Sequence, residues 1–227
     1  MKKVLVLLAL LMFANCAQAS IRIDLLPTKE HRALAAKIGY NLLNSNRISE
    51  KITFAVKNDK RVNAWTYYRN SEIVITSSLI ESCAKEDELA AVMAHEISHG
   101  VDYRQGLLKG YFSYLSTSLS PKKYEYKADK VAVDYLVKAG YNPLALIVAL
   151  NLIAPQERYD WASTHPLTSR RMAQVYEYIY TKYPEYLVQN EYKNNAVYQN
   201  FLLTSKENRA KLEQKVKNNS KRKVNYL

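Results

Sequence analysis

The chain has 227 residues, of which 48% are hydrophobic, and it contains only 5 glycines and 6 prolines. This composition excludes a disordered or collagen-like chain and favours a globular, helix-rich protein with one good core. The formal net charge of +12 would suit a nucleic-acid binder. No recognised nucleic-acid motif accompanies the charge, and we therefore predict no nucleic-acid partner.

The first 19 residues have the pattern of a secretory signal peptide. Two lysines precede the apolar run 4–14, and Ala17-Gln18-Ala19 offers a small-x-small cleavage site. We expect cleavage after Ala19 and a periplasmic protein, because the apolar run is too short to anchor the chain in a membrane. A lipoprotein modified at Cys16 is the alternative, but Asn15 stands where such signals prefer Gly, Ala or Ser. Simple cleavage leaves Cys83 as the only thiol, so no internal disulfide is expected.

The next part of the chain changes from a helical to an extended pattern. A helical pattern follows Pro27-Thr28 and ends in the polar run 44–46. Segments 52–56, 62–68 and 73–76 are rich in β-forming residues and are separated by turn residues. We interpret them as a small antiparallel sheet.

Helical patterns dominate the rest. Three acidic residues at 86–88 begin a helix whose apolar residues recur at helical spacing. Further helices are predicted at 121–139 and 144–153, after Thr168-Ser169, and near 205–216. The predicted fold class is α+β: a mainly helical protein with a small antiparallel sheet before the helix that starts at 86.

That helix carries the segment His95-Glu96-Ile97-Ser98-His99. Residues four apart lie on one helix face, so both imidazoles can bind the same ion. Glu96 then lies close enough to the open coordination position to take a proton from water. This is the arrangement of a zinc peptidase, and the alternative is two histidines on an ordinary helix face.

A catalytic zinc needs a third protein ligand from elsewhere in the chain. Among later acidic residues and histidines, Glu125 fits best because it lies on the next predicted helix. Asp129 falls one turn further along the same face, where its carboxylate can orient a ligand histidine. A Glu/Asp pair at this spacing is otherwise a common solvated helix face. His31, beside charged residues on the first helix, is interpreted as a surface residue.

With these residues in view, the chain resembles the zinc metallopeptidases that include the CAAX prenyl proteases, HtpX and the BepA-like periplasmic peptidases. The resemblance rests on ordered motifs: 62–65, 73–76, 95–99, 125–129, and 164–166 followed by Arg171. It covers roughly residues 34 to 180. It implies a zincin-type fold of the gluzincin class with one zinc per chain.

The resemblance also implies roles for individual residues. His95, His99 and Glu125 would be the zinc ligands and Glu96 the general base. Asp129 and Arg171 would support the ligands from behind. His165 would lie near the metal, where it either stabilises the oxyanion or blocks the water position in a latent state. The strand that contains Asn63-Ala64-Trp65 would bind substrate.

Two features depart from this family pattern. Only 26 positions separate His99 from Glu125, so we expect no extended lid or membrane hairpin between them. We also expect no repeat-type helical domain after the catalytic region. Instead, residues 192–227 carry nine Lys or Arg against two Glu. We expect a signal peptide at 1–19, a metallopeptidase domain at 20–185 and a basic C-terminal extension at 186–227.

The sequence-based hypothesis is an exported zinc metalloendopeptidase that cleaves unfolded or misfolded envelope polypeptides in quality control. The alternative is a proteolytically latent, chaperone-like or binding protein on the same fold. A third hypothesis is an envelope-surface binder that works through the basic extension. That extension is interpreted first as a solvated tail and second as a surface for peripheral contact with anionic membranes. The sequence leaves the oligomeric state open.

Overall fold

The structure is a computed structural model that describes residues 28–105, 121–153 and 168–220. The predicted signal peptide, Cys16 and the segment 164–166 with His165 lie outside these residues. The helices before the second gap are α1 (Lys29–Ser45), α2 (Ser77–Ser82), α3 (Glu86–Gln105), α4 (Pro121–Lys138) and α5 (Ala145–Ile153). After it follow α6 (Thr168–Lys182), α7 (Glu185–Val188), α8 (Ala196–Thr204) and α9 (Lys206–Lys217). The strands are β1 (Thr53–Lys57), β2 (Ala64–Tyr67) and β3 (Glu72–Thr76).

The predicted sheet is present, but it is mixed rather than purely antiparallel. Its strand order is β1-β3-β2. β2 pairs antiparallel with β3, as expected for strands joined by a tight turn, whereas β1 pairs parallel with β3. Two reversals of direction bring β3 back between the first two strands. Ile73, Val74 and Ile75 are all buried, which suits the central position of a strand covered on both faces.

α3 lies at the centre of the molecule. Every residue from 88 to 95 is buried, so the helix is enclosed on all sides over its first half. It packs against α4, α5 and β2. Just before its start, the Ala84 N–H donates a hydrogen bond to the Glu88 carboxylate at 2.8 Å, which ties the incoming chain to the first turn of the helix. The predicted motif helix is therefore confirmed.

The predicted helices around α3 are confirmed as well. α4 begins at Pro121 and is followed by Gly140, whose φ of 79° is the left-handed conformation that ends helices. The next turn places the Asn142 side chain so that it accepts the Leu144 N–H at 3.0 Å. The Asn142 N–H donates to Asp87 at 3.2 Å, which ties this turn to the start of α3.

The C-terminal helices pack on the same apolar core. Tyr192, Tyr198, Phe201 and Leu212 are buried within the cluster that includes the core residues of α3. The helix predicted near 205–216 is confirmed as α9. The division into a domain that ends at 185 and a basic extension stays a prediction. None of the helices within the three described ranges is long and apolar enough to span a lipid bilayer.

Candidate metal centre

Three side chains from α3 and α4 converge on one point. His95 and His99 lie one turn apart on α3, and their Nε2 atoms are 3.1 Å apart. The Glu125 carboxylate of α4 lies 3.4 Å from each of these nitrogens. A four-coordinate zinc with bonds of about 2.1 Å holds neighbouring donors about 3.4 Å apart. The three donor atoms therefore fit a single ion, and they form the one group of this kind among the described residues.

Helix packing brings Glu125 to the histidines. α3 packs against α4, and the two alanines that follow Glu125 on the inner face of α4, Ala128 and Ala132, are buried. Small side chains at these positions allow the two helices to approach closely. The carboxylate and both imidazoles thus stand on rigid helices rather than on loops, which fixes their mutual geometry.

Asp129 and Arg171 lie directly behind the three donors. Asp129 Oδ1 is 3.0 Å from His95 Nδ1, so this carboxylate fixes the imidazole through the nitrogen that faces away from Glu125. Arg171 of α6 donates two hydrogen bonds to Asp129, from Nε at 2.8 Å and from Nη2 at 2.6 Å. Its Nη1 lies 2.9 Å from Glu125 Oε2. One guanidinium therefore holds two carboxylates in place.

The charges of these neighbours determine the protonation of His95. Burial lowers the pKa of its imidazole, but hydrogen bonds to Asp129 and Glu125 outweigh burial and raise the pKa to about 9. Arg171 holds the pKa of Asp129 below its usual range despite complete burial. Without a metal ion, His95 is therefore a cation at neutral pH, and a bound metal must displace its proton.

Glu96 lies beside the three donors and contacts a residue that the sequence analysis did not identify. Thr66 Oγ1 of β2 is 2.7 Å from Glu96 Oε2 and 3.0 Å from the Glu96 carbonyl oxygen. Thr66 and Glu96 are 30 residues apart, and a strand threonine carries no sequence signal of such a role. The one hint was its alternation with Ala64, which places both side chains on the face of β2 that meets α3.

The predicted substrate strand is an edge of the sheet among the described residues. The Thr76 N–H donates to the Asn63 carbonyl at 3.0 Å, so Asn63 and Trp65 direct their backbone groups toward β3. The backbone groups of Ala64 and Thr66 point the other way, to the open side of the strand. The Ala64 N–H is taken by the Asn63 side chain at 2.9 Å. The other outward groups include the N–H and C=O of Thr66, the residue whose hydroxyl contacts Glu96.

The two remaining histidines of the chain are His31 and His165. His165 lies outside the described residues. His31 is on the first turn of α1, where its backbone N–H donates to Thr28 Oγ1 at 3.1 Å. It belongs to no cluster of potential metal ligands in the described parts of the chain.

Comparison with known families places the chain. The family model of peptidase family M48 matches residues 29–103 and 106–179. The chain belongs to peptidase family M48. Its matched segments contain all three donors, Glu96 and Arg171. Peptidases of this family are zinc metalloproteases, which agrees with the donor set.

Curated relatives of this member of family M48 are larger proteins. The chain is 26% identical over 170 residues to the β-barrel assembly-enhancing protease of Yersinia pestis. It is 24% identical over 177 residues to the protein of the same name from Escherichia coli K12. These alignments cover 57% and 60% of this chain but only 35% and 36% of the two relatives. The aligned part of the chain thus corresponds to about a third of each relative.

We expect Arg171→Gln to lower the free energy of unfolding of the metal-free protein by about 3 kcal/mol or more, because the buried Glu125 and Asp129 carboxylates then share only the protonated His95 imidazole as a cation. Lys182→Gln is the matched control, since Lys182 pairs with Asp134 at 2.8 Å but its side chain is 45% exposed. This control should cost less than about 1 kcal/mol. Urea unfolding of both variants measures the difference, and equal losses would contradict the structural role of Arg171.

Proposed function

We propose that this M48 peptidase is a zinc-dependent endopeptidase that cleaves exposed, extended segments of polypeptides. The observation that carries the proposal is the triangle of His95, His99 and Glu125, with donor separations of 3.1–3.4 Å and Glu96 beside it. Two neutral imidazoles and one carboxylate are a catalytic rather than a structural zinc set, because they leave a coordination position open.

The charge of the site also supports a divalent ion. Glu96, Glu125 and Asp129 supply three negative charges, and Arg171 supplies one positive charge. In the metal-free protein the proton on His95 leaves a net charge of minus one. When both histidines are neutral, as metal binding requires, two negative charges remain in a largely buried place, which is unfavourable without a cation. A divalent ion balances them. Zinc is preferred over calcium or magnesium because two of the three donors are imidazoles.

In the proposed reaction, each residue has a distinct task. His95, His99 and Glu125 would hold the zinc, whose Lewis acidity would polarise the scissile carbonyl and lower the pKa of water. Glu96 takes a proton from the attacking water and delivers it to the leaving amine. Asp129 keeps the His95 imidazole oriented, and Arg171 keeps both carboxylates of α4 oriented.

His165 is proposed to donate a hydrogen bond to the oxyanion that forms on the carbonyl. This assignment follows from the order of motifs in the family, in which the histidine precedes Arg171 by six positions here. A donor at that place is worth about 3 kcal/mol of transition-state stabilisation in comparable enzymes.

The substrate is proposed to bind by adding a strand to the open side of β2. The Ala64 C=O and the N–H and C=O of Thr66 offer hydrogen bonds to an extended segment, with Asn63 and Trp65 holding the strand to β3. A folded protein rarely offers such a segment, so unfolded or misfolded polypeptides are selected. Pairing of this kind contacts the backbone of the substrate rather than its side chains, and it therefore tolerates many substrate sequences.

The cellular setting is proposed from the leader and the relatives. Residues 1–19 direct export and are removed after Ala19, which places the mature peptidase in the periplasm. The relatives are named β-barrel assembly-enhancing proteases, and we propose a related task in quality control of envelope proteins. The basic segment 186–227 would keep the protein soluble or contact anionic lipid at the membrane surface.

We expect mature protein that starts at Ser20 to hydrolyse casein, and Glu96→Gln to lose at least a hundredfold of this activity because no group accepts the proton of the attacking water. The metal content should stay near one zinc per chain, because Glu96 is not a donor. Glu81→Gln, at an exposed carboxylate of α2, is the control and should retain activity. Unchanged hydrolysis by Glu96→Gln would contradict the proposed mechanism.

Strand addition predicts a period of two in the response to backbone methylation of a peptide substrate. N-methyl groups at alternate positions remove the N–H groups that face β2 and should raise KM about tenfold or more, whereas the positions between them should have little effect. Steady-state kinetics on a series of singly methylated peptides measures the pattern. A response without alternation would contradict binding at this edge.

A further inference from the structure

We propose that Thr66 is the positioning residue of Glu96: its hydroxyl holds the carboxylate at the site, while its backbone pairs with the substrate. The inference rests on the proposed peptidase function and deepens it. It assigns to the substrate strand a second task, because the residue that receives the polypeptide also orients the base.

The contact is short and charge-assisted. Thr66 Oγ1 is 2.7 Å from Glu96 Oε2, within the range of a hydroxyl that donates to an ionised carboxylate. The same oxygen is 3.0 Å from the Glu96 backbone carbonyl, but a hydroxyl has a single proton. The nearer and charged acceptor receives it. Within the described parts of the chain, no other donor to this carboxylate is present.

The Thr66 side chain is fixed by its second branch. A Cβ atom placed on Gly100 would lie 3.6 Å from Thr66 Cγ2, so the threonine methyl packs over this glycine of α3. The methyl thus faces Gly100, and the hydroxyl faces Glu96, which lies one turn earlier on the helix. A β-branched residue has few χ1 choices, and this packing selects the one that directs the hydroxyl to the carboxylate.

The backbone of Thr66 is fixed independently. Thr66 lies opposite Ile73 of the buried central strand, and the residues on either side of it in β2 make the backbone hydrogen bonds to β3. The N–H and C=O of Thr66 point to the open side of the sheet. A substrate strand that pairs there is held at a set distance from the hydroxyl, and so from the Glu96 carboxylate.

This arrangement predicts which kinetic parameter depends on the hydroxyl. Substrate pairing uses the backbone of Thr66, which any side chain leaves in place, so KM should not change. Proton transfer needs the carboxylate within hydrogen-bond reach of water, so kcat should fall when Glu96 is free to rotate. A residue with a purely structural role would instead lower the stability without this split.

Two variants of matched size test the proposal. Thr66→Val keeps the shape and removes the hydroxyl, and Thr66→Ser keeps the hydroxyl and removes the methyl. We expect Thr66→Val to lower kcat about tenfold and to leave KM within about twofold, because one charge-assisted hydrogen bond is lost. Thr66→Ser should recover most of the lost kcat. Zinc content and Tm should remain near those of the wild type in both variants, since the threonine binds no metal.

Crystal structures of the wild type and Thr66→Val, both with zinc, provide a readout that does not depend on activity. The Glu96 carboxylate should turn away from its place beside the donors in the valine variant. An unchanged kcat in Thr66→Val, or equal losses in valine and serine variants, would overturn the proposal. If the zinc-loaded wild type cleaves no peptide, the proposed function fails instead. The crystal structures then decide alone, and an unmoved Glu96 carboxylate in Thr66→Val overturns the positioning role.

Discussion

Buried carboxylates must be compensated, and the whole site is arranged around that requirement. Glu125 and Asp129 project from one face of α4 into the protein interior, where an unpaired negative charge is strongly unfavourable. Arg171 pairs with both carboxylates, at 2.6 Å to Asp129 Oδ1 and at 2.9 Å to Glu125 Oε2. Because Arg171 lies on α6, the geometry of the site depends on the packing of α3, α4 and α6. The remaining negative charge is what a divalent ion would neutralise.

α3 connects this charged cluster to the sheet. Its two histidines face α4, whereas Glu96, the next residue after His95, faces β2. The helix is buried over its first half, so its register relative to both neighbours is fixed by close packing. One rigid helix thereby links the proposed metal donors, the proposed base and the proposed substrate edge. The chemistry needs no loop from the described part of the chain to bring these groups together.

Local sequence signals predicted the helices well, and they singled out three side chains that the structure brings together. The spacing of His95 and His99 matches one helical turn, and the Glu125/Asp129 pair repeats it on the next helix. Pro121 and Gly140 mark the ends of α4 because each residue has a restricted or permissive backbone that suits that place. Such signals depend on neighbours within a few positions, which a sequence displays directly.

The parts that the sequence did not predict depend on distant residues. β1 pairs parallel with β3 because β3 enters between two earlier strands, and no local pattern encodes that order. The contact of Thr66 with Glu96 likewise joins residues 30 positions apart. Threonine is common in strands, so only the packing of β2 on α3 distinguishes this one. Long-range pairing is thus where the structure adds to the sequence.

X-ray absorption spectroscopy of the purified mature protein tests the metal centre most directly. We expect one zinc per chain with nitrogen and oxygen neighbours at about 2.0–2.1 Å, including the multiple-scattering signature of two imidazoles. The spectrum of Glu125→Gln should show a weakened or lost metal. A spectrum without imidazole, or with a sulfur neighbour at about 2.3 Å that would place the ion at Cys83, would contradict the account.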